Sequence, residues 1–327
     1  MSQYRVLIAD NVHPGCDEIL TGQGIEVVRE TGKSEEELAA IIADFDGMVV
    51  RSAVKVRRPL IEKMGRMKVI GRAGAGVDNI DVAAATEKGI AVMNTPGGNT
   101  ISAAEHTIGM ILSACRSIPQ ANNSLRNDQW NRKAFVGTEL FGKTVGVLGI
   151  GRIGSEVAKR LRGFEVQLLG HDPFLSDDVV RDFGMTPVSL DEILEKSDIL
   201  TLHLSLSDQT RNLIGETELG KMKSEALLIN CARGGIVNEA ALFAALENGT
   251  IAGAAFDVFE QEPPAFPNDL ISHPRFISTP HIAASTSDAQ IRVSHAIARQ
   301  MGAFLKGEPP VAVVNPAVLG TTSVPQT

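Results

Sequence analysis

The sequence predicts an α/β protein built from two doubly wound parallel-sheet domains. Short apolar, β-branched segments alternate with amphipathic helical segments along most of the chain, and this alternation is typical of parallel sheets. One such segment, Thr144–Leu148, runs directly into a glycine turn and a helix. With 327 residues, the chain is also longer than one typical domain of about 100–200 residues. Two domains are therefore expected.

The first hundred residues predict a small α/β domain. One of its helical segments covers residues 34–43 and begins with the capping-box pattern of Ser34 and Glu37. Because helical segments separate the strands, the strands are expected to run parallel. The strand candidates are Arg5–Ala9, Glu26–Arg29, Gly47–Val50, Lys68–Ile70 and Ala91–Met93.

A second α/β unit follows a long helical segment. Apolar residues recur at helical spacing from Thr100 to about Ser124 and predict one continuous helix. An amphipathic helix from Ser285 to about Lys306 is expected to return to the first domain, and the tail from Gly320 is expected to be frayed. The strand candidates between these helices are Thr144–Leu148, Glu165–Gly170, Ile199–Leu204, Ala226–Ile229, Ile251–Phe256 and Arg275–Ser278.

Composition argues against several classes of function. A formal net charge of −8 and an aromatic share of 4% argue against a nucleic-acid partner, so anionic ligands must be captured by local cationic sites. The three scattered cysteines, Cys16, Cys115 and Cys231, form neither a disulfide framework nor a CxxC metal site and fit a reducing cytoplasm. The chain has no signal-peptide pattern and no apolar run of membrane-spanning length.

The segment after Thr144–Leu148 carries a dinucleotide fingerprint, because Gly149, Gly151 and Gly154 have G-x-G-x-x-G spacing. The first glycine permits a tight turn, the second lets the backbone approach a pyrophosphate, and the third lets the helix pack closely on the strand. The amino end of that helix then faces the phosphates with unpaired N–H donors.

An acidic residue frames this fingerprint. Asp172 follows the next predicted strand, close to the offset of about twenty residues expected for the acid that binds the adenosine ribose hydroxyls. Its carboxylate would repel the 2′-phosphate of NADP. The sequence therefore favours NAD, with a surface turn acid as the alternative interpretation of Asp172.

Polar residues follow strands of the first domain at their carboxyl ends, where ligands bind in open α/β sheets. Arg51, Arg72 and Asn99 lie in three such connections. The segment Gly74-Ala-Gly76 lacks the framing acid of a second fingerprint, since residue 79 is Asn. We predict that it forms a backbone N–H nest for a substrate anion.

Three ionisable residues of the second unit point to alcohol oxidation. Arg233, Glu262 and His281 each lie just past a predicted strand, and the ends of neighbouring strands share one crevice. A histidine is suited to take a hydroxyl proton near neutral pH, so His281 is the predicted base. Glu262 would fix its tautomer, and Arg233 would pair with a substrate carboxylate. Each residue also has a purely structural interpretation. Arg233 could form a salt bridge at a strand end, Glu262 could be a solvated loop acid, and His281 could cap a helix.

Two other residues have less specific interpretations. His106 lies within the long helix and is expected to be a satisfied core or interface histidine, not a catalyst. Trp130 lies in a polar segment and fits an exposed anchor at a subunit contact, with local packing as the alternative.

Several motifs together resemble the D-isomer-specific 2-hydroxyacid dehydrogenase family, and its phosphoglycerate branch most closely. The resemblance covers nearly the whole chain. It implies a flavodoxin-like substrate domain of residues 1–98 and 284–327, and a Rossmann NAD-binding domain of residues 99–283. The segments that carry it are Gly71–Asp81, Asn94–His106, Val147–Gly154, Asn230–Val237, Phe256–Pro264 and Thr279-Pro-His-Ile282.

The resemblance also implies roles for individual residues and a homodimer formed through the dinucleotide domains. The catalytic set is Arg233, Glu262 and His281. The expected NAD contacts are Arg152, Ile153, Asp172, His203, Cys231 and Asp257. The expected substrate contacts are Arg51, Arg72 and Arg132 for the anionic end, with Asn99 and the Gly74–Gly76 backbone for the carboxylate.

The favoured reaction is NAD-dependent oxidation of 3-phospho-D-glycerate in serine biosynthesis, because three arginines could supply the donors that a phosphate needs. The substrate is expected to bind between the two domains, which then close. Many members of this branch continue into serine-binding regulatory domains, so feedback inhibition is not expected of a chain that stops at residue 327. The residues after His281 and Arg51 also depart from the usual family pattern.

Other functions remain open from sequence. Sulfolactate would satisfy the same arginines, and glyoxylate or hydroxypyruvate would need fewer of them. A rival from another class is a dinucleotide-sensing interaction protein, such as the co-repressors that resemble this family. A long interaction tail or an exposed peptide groove would favour that rival.

Overall fold

The computed structural model describes residues 3–320. The predicted frayed tail from Gly320 therefore lies outside the described residues except for Gly320 itself, which ends a short 3-10 helix. The chain divides into two compact units: the first contains the described residues up to Asn99 and from Ser285 onward, and the second contains Thr100–Ala284. Both are layered α/β units with parallel sheets, which confirms the predicted fold class.

The first unit starts with five strands and four helices. The predicted capping box begins the second helix, where the Ser34 hydroxyl accepts the Glu37 N–H and the Glu37 carboxylate accepts the Ser34 N–H. In chain order the elements are β1 (Arg5–Ile8), α1 (Gly15–Gly22), β2 (Glu26–Arg29), α2 (Glu35–Ile41), β3 (Gly47–Val50), α3 (Arg58–Glu62), β4 (Val69–Arg72), α4 (Val82–Glu87) and β5 (Ala91–Met93).

The second unit contains eight helices and seven strands. In chain order they are α5 (Thr100–Arg116), α6 (Ile118–Arg126), β6 (Thr144–Leu148), α7 (Arg152–Leu161), β7 (Gln167–His171), α8 (Asp177–Asp182), β8 (Thr186–Pro187), α9 (Leu190–Lys196), β9 (Ile199–Leu202), α10 (Glu216–Lys221), β10 (Leu227–Asn230), α11 (Glu239–Glu247), β11 (Gly253–Phe256), α12 (Asp269–Ser272) and β12 (Phe276–Ser278).

The last long helix, α13 (Ser287–Leu305), belongs to the first unit. Its buried residues Val293, Ile297 and Met301 share a core with the apolar side chains of β1, β3 and β4. The expected return of this helix to the first unit is therefore correct.

The order of the strands in each sheet indicates where a ligand can bind. The first sheet has the order β2-β1-β3-β4-β5, and the second has the order β12-β11-β10-β9-β6-β7-β8. In each sheet, the chain first adds strands toward one side and then, after one position, toward the other side. This pattern occurs in flavodoxin-like sheets and in dinucleotide-binding sheets respectively. At such a reversal, the connections beyond the carboxyl ends of the strands leave a crevice. In the first sheet the reversal separates β1 from β3, and in the second it separates β6 from β9.

One helix prediction is wrong in detail. The single helix expected from Thr100 to Ser124 is two helices, α5 and α6, separated by Ser117. Ser117 has a left-handed φ of 49°, and Pro119 in the first turn of α6 favours a helix start there. The apolar period hid this break, because both helices have apolar residues at similar spacing.

Some strand ends also differ from prediction. The predicted strand Glu165–Gly170 begins only at Gln167, because Glu165 has a left-handed φ of 57° and ends a short 3-10 turn.

No helix among the described residues is long and apolar enough to cross a membrane.

Candidate active site

The glycine turn after β6 is closely packed. Gly149 has a φ of 90°, and a Cβ atom built on Gly154 would lie only 2.1 Å from the Gly149 carbonyl oxygen. A larger residue at position 154 would therefore force α7 away from the strand. This agrees with the roles predicted for the first and third glycines.

The middle glycine faces open space. A Cβ atom on Gly151 would meet no atom within 4 Å, and Gly151 is the N-cap of α7 without a side-chain cap. The first amides of α7, starting at Arg152 and Ile153, therefore have room for an anionic group in front of them. The turn fits the pyrophosphate of a dinucleotide.

Asp172 follows β7 and closes the other side of this turn. One of its carboxylate oxygens accepts the Ile150 N–H at 2.9 Å, and the other accepts the Phe174 N–H at 3.0 Å. The carboxylate is thus fixed beside the fingerprint, and it keeps acceptor capacity on each oxygen for ribose hydroxyls.

Two further predicted cofactor residues lie directly past the central strands. His203 follows β9 and its Nε2 lies 3.0 Å from the Thr201 hydroxyl. Burial lowers the pKa of His203 to about 3, so the ring is neutral at physiological pH. Cys231 follows β10, and burial raises the pKa of its thiol to about 12. Neither side chain brings charge to the site.

Asp257, which follows β11, holds the connection after β12. Its buried carboxylate accepts the N–H groups of Ile282 and Ala283 at 2.8 Å each and the Thr279 hydroxyl at 2.5 Å. Burial by itself raises the pKa of Asp257, but these hydrogen bonds and His106 outweigh it, so the pKa is lowered overall. Asp257 is expected from the resemblance to contact NAD, and in this structure its carboxylate positions the turn around residue 281.

His281 and Glu262 form a hydrogen-bonded pair. His281 Nδ1 lies 2.5 Å from Glu262 Oε2, and the other carboxylate oxygen accepts the Phe259 N–H at 3.1 Å. Burial raises the pKa of Glu262, but the hydrogen bond and charge of His281 and the amide of Phe259 outweigh this, so its pKa is lowered. An ionised Glu262 accepts a hydrogen bond from the Nδ1–H group of His281, which leaves Nε2 as the free acceptor. The two side chains remain 47% and 36% exposed respectively, so a ligand can reach them.

Arg233 lies in a loop that packs against the Glu262 loop. A Cβ atom on the adjacent Gly234 would lie 1.7 Å from the Phe259 carbonyl oxygen, so the two backbones are in direct contact. The Asn230 amide fixes the Arg233 loop from the strand side, with Nδ2 donating to the Arg233 carbonyl at 3.0 Å. Arg233 itself donates to the Ala232 carbonyl. The structure thus brings the Arg233 loop and the His281–Glu262 pair to one edge of the second sheet.

The substrate-side residues divide between the units. Arg51 and Arg72 lie at the carboxyl ends of the paired strands β3 and β4, where Val50 is in register with Arg72. Asn99 ends the connection after β5 in the same unit. Arg132 belongs to the second unit, at the start of a short 3-10 helix.

The glycine segment after β4 departs partly from the predicted nest. The Gly74 N–H donates to the Arg72 carbonyl at 2.8 Å, so this amide is already used. In the described part of the chain, the amides of Ala75 and Gly76 have no acceptor. Thr95 N–H and Asn94 Nδ2 donate to the carbonyls of Gly74 and Ala75, which fixes the segment.

The side chains of His106 and Thr279 also hold the site in place. His106 is a satisfied histidine, as predicted, with Nε2 3.1 Å from the Thr279 hydroxyl and 3.5 Å from Asp257. That Thr279 links it to Asp257 was not predicted. The signal was present in the motif, because Thr279 stands two residues before His281 at a strand end. Among the residues described, no group of His, Cys, Asp and Glu could hold a metal ion.

Comparison with known proteins decides the family. Residues 108–283 match the family described as D-isomer specific 2-hydroxyacid dehydrogenase, NAD binding domain. The chain belongs to this 2-hydroxyacid dehydrogenase family. The matched region contains the fingerprint turn, Asp172, Arg233, Glu262 and His281, so the expectation of an NAD-binding domain is confirmed.

Individual members of the family are similar along nearly the whole chain. The chain is 46% identical over 314 residues to D-3-phosphoglycerate dehydrogenase of Bacillus subtilis, covering 95% of this chain and 59% of the relative. It is 46% identical over 323 residues to the Homo sapiens protein of that name, covering 99% of this chain and 60% of the relative. The chain thus spans about 60% of the length of these relatives.

A solved family structure has the same fold. Glyoxylate reductase from Paecilomyes thermophila superposes with a TM-score of 0.85 at 32% identity, covering 96% of this chain and 99% of that one. Dehydrogenases and reductases with different named substrates therefore share this architecture. The fold alone does not select the acid.

Proposed function

We propose that this chain is an NAD-dependent dehydrogenase that oxidises 3-phospho-D-glycerate to 3-phosphohydroxypyruvate, the step that would serve serine biosynthesis. The observation that carries the proposal is the 2.5 Å contact between His281 and Glu262, made in a domain of the NAD-binding family. The names of the curated relatives support the choice of acid.

The proposed chemistry follows from the protonation states of the pair. NAD, when bound, would supply the acceptor for the hydrogen of the C2 carbon and its bonding electrons. His281 Nε2 accepts the proton of the C2 hydroxyl, so that the carbon–oxygen bond becomes a carbonyl. Glu262 stays ionised and stabilises the imidazolium that forms. In the reverse direction, the same Nε2 returns the proton.

Arginines are proposed to bind the charged groups of the substrate. The guanidinium of Arg233 would pair with the carboxylate and polarise the neighbouring oxygen. Arg51, Arg72 and Arg132 would bind the phosphate, and Asn99 with the amides of Ala75 and Gly76 would bind the carboxylate end. An anion of higher charge than a simple hydroxy acid thus has several donors available.

For the cofactor, the proposed contacts are the turn glycines, Asp172 and the start of α7. Arg152 and Ile153 would face the pyrophosphate with their amides. His203, Cys231 and Asp257 line the ends of the central strands, where the nicotinamide half would lie. Asp172 would select NAD over NADP by charge.

The test is a substrate panel with purified protein. NADH formation is measured with NAD and, separately, 3-phospho-D-glycerate, sulfolactate, D-glycerate and D-lactate. We expect kcat/KM for phosphoglycerate to exceed that for D-glycerate by about 100-fold or more, the value of two charge-assisted hydrogen bonds. A larger value for another acid would contradict the proposed substrate, and NAD binding without turnover of any acid would favour a sensing protein.

A reductase of glyoxylate or hydroxypyruvate is the second candidate. It is supported by the similarity to the Paecilomyes thermophila glyoxylate reductase. Faster NADH oxidation with glyoxylate than with 3-phosphohydroxypyruvate would select this candidate. The proposed roles of His281 and Glu262 would be unchanged.

We also propose a cytoplasmic homodimer formed through the second unit. Large apolar side chains of this unit are exposed in the single chain, with Trp130 78%, Phe141 67% and Leu125 56% exposed. The three cysteines are free and buried, which suits a reducing compartment. Light scattering of the purified protein tests the dimer, and Trp130→Ser should weaken it.

A further inference from the structure

A buried carboxylate organises the loop that carries Arg51. Asp10 lies just beyond β1, is only 7% exposed, and accepts four main-chain N–H groups. Its Oδ2 accepts from Arg51 at 3.0 Å, Ala53 at 3.0 Å and Val54 at 3.2 Å, and its Oδ1 accepts from Asn11 at 2.9 Å. One side chain thus fixes most of the Arg51–Val54 loop.

The same carboxylate also fixes the guanidinium of Arg51. Arg51 Nη1 donates to the Asn11 carbonyl at 3.1 Å, and the amide of Asn11 is held by Asp10. Both ends of Arg51 therefore depend on Asp10. In the described part of the chain, the other guanidinium N–H groups of Arg51 have no protein acceptor, so they remain for a ligand.

A second buried side chain holds the loop from its carbonyl side. Asn79 is 5% exposed, and its Nδ2 donates to the carbonyls of Arg51 and Val54 at 2.7 Å each. The backbone of Asn79 is fixed in turn, because its carbonyl accepts the Val56 N–H at 2.8 Å. The first and last residues of the loop are thus held at both their N–H and C=O groups.

This arrangement lies at the binding edge of the sheet. Burying a carboxylate whose partners are only amides costs desolvation free energy. If stability were the only requirement, apolar side chains at this position would stabilise the fold as well. The loop it fixes stands at the carboxyl end of β3, next to Arg72 at the end of β4. A guanidinium that is already ordered binds an anion without losing side-chain freedom at that moment.

We infer that Asp10 and Asn79 are positioning residues for the anionic end of the substrate. By fixing Arg51, they set the preference for a phosphate-bearing 2-hydroxy or 2-oxo acid over its unphosphorylated counterpart. This inference rests on the proposed function, because it names what determines the substrate choice of that site. Neither side chain takes part in proton transfer at His281.

The chain offers a matched control. Asp46 is another buried carboxylate of the first unit, only 1% exposed. It accepts the main-chain N–H of Arg5 at 2.9 Å and the Nε–H of Arg66 at 3.2 Å. It lies at the amino end of β3, whereas the Arg51 loop follows the carboxyl end of that strand. Asp46→Asn should reduce stability without altering substrate preference.

The experiment compares two substrates in the reductive direction. NADH oxidation by the full chain is measured with 3-phosphohydroxypyruvate and with hydroxypyruvate for the wild type, Asp10→Asn, Asn79→Ala and Asp46→Asn. We expect Asp10→Asn to raise KM for the phosphorylated acid by about tenfold, as for loss of one charge-assisted hydrogen bond. Its kcat with that acid and its kcat/KM with hydroxypyruvate should stay within about twofold of the wild type.

A double variant separates positioning from general damage. In an Arg51→Ala background, Asp10→Asn should change the ratio of the two kcat/KM values no further, because the group it positions is absent. The inference is overturned if Asp10→Asn and Asn79→Ala change the ratio of the two kcat/KM values no more than Asp46→Asn does. It is also overturned if Asp10→Asn and Arg51→Ala have additive effects on that ratio. Inactivity of the wild type with 3-phosphohydroxypyruvate would instead overturn the proposed substrate. Should Asp10→Asn fail to fold, Asn79→Ala decides by the same ratio.

Discussion

Glu262 Oε2 and His281 Nδ1 lie 2.5 Å apart although the two residues follow different strands, β11 and β12. The pair exists because parallel strands end at the same edge of the sheet. Two separate fixtures hold it: the Phe259 amide on Glu262 and the Asp257 carboxylate on the turn around His281. Removing either partner should therefore affect chemistry more than cofactor binding.

His281→Ala should lower kcat by about 10²–10⁴-fold, because the proton acceptor is lost. Glu262→Gln should lower kcat by about 10²-fold, since a neutral amide stabilises the imidazolium less than a carboxylate does. Steady-state kinetics measures both, with NADH affinity as the check on folding. The control is Glu260→Gln, a neighbouring carboxylate that instead accepts the Glu239 N–H. Equal losses in all three variants would contradict the assigned roles.

Two glycines of the fingerprint should respond differently to alanine. Gly154→Ala should destabilise the protein by about 1–3 kcal/mol, because its Cβ would overlap the Gly149 carbonyl. Gly151→Ala should change the unfolding free energy by less than about 0.5 kcal/mol, because its Cβ meets open space.

The same pair also tests the pyrophosphate site. Gly151→Ala should weaken NADH binding by about tenfold or more, because its methyl group occupies the space in front of α7. Thermal unfolding and calorimetric titration measure the two effects. Unchanged NADH affinity in a stable Gly151→Ala variant would rule out a cofactor phosphate at that position.

Asp172→Ala should reduce the preference for NAD over NADP. The carboxylate that would bind ribose hydroxyls and repel a 2′-phosphate is lost, so KM for NAD should rise and KM for NADP should fall, changing the ratio by about tenfold or more. Asp178→Ala, an exposed acid in α8, is the control. A full NAD preference in Asp172→Ala would show that selectivity arises elsewhere.

Because Asp257 accepts several hydrogen bonds, we expect the difference in unfolding free energy between the wild type and Asp257→Asn to depend on pH. The folded protein holds the pKa of Asp257 below its ordinary value of 3.8, so the ionised group stabilises the fold above that pH. This stabilisation is lost as pH falls through the lowered pKa. Asp257→Asn should cost about 1–3 kcal/mol near neutral pH. Chemical denaturation from pH 7 to 3 should show the difference from wild type narrowing below 3.8, whereas a constant difference would contradict this pKa assignment.

Local patterns predicted the alternation of strands and helices, but not the order of the strands within each sheet. The alternation of strands and helices, the strand–turn–helix around Gly149–Gly154 and the capping box at Ser34 depend on neighbouring residues, and the structure contains each of them. The break at Ser117 was missed, because the left-handed conformation of a single serine leaves the apolar period of the flanking helices unchanged.

The support around the candidate site could be predicted only in part. The strand-end positions of Arg233, Glu262 and His281 and the pairing of Glu262 with His281 were predicted from the sequence. The hydrogen bonds of Phe259, Asn230 and Asp257 that hold their loops were not. Asp10, Asn79 and Thr279 bond to segments far away in the chain. Their partners depend on which strands are neighbours, and single-sequence patterns do not specify strand order.

A deuterium label shows directly whether the hydrogen at C2 of the substrate passes to the cofactor. The wild-type protein is given NAD and 3-phospho-D-glycerate deuterated at C2, and the reduced cofactor is analysed by mass spectrometry. We expect the deuterium to appear in the nicotinamide ring, while the hydroxyl proton passes through His281 to solvent. Reduced cofactor without deuterium, or deuterium released to water, would contradict direct transfer from C2.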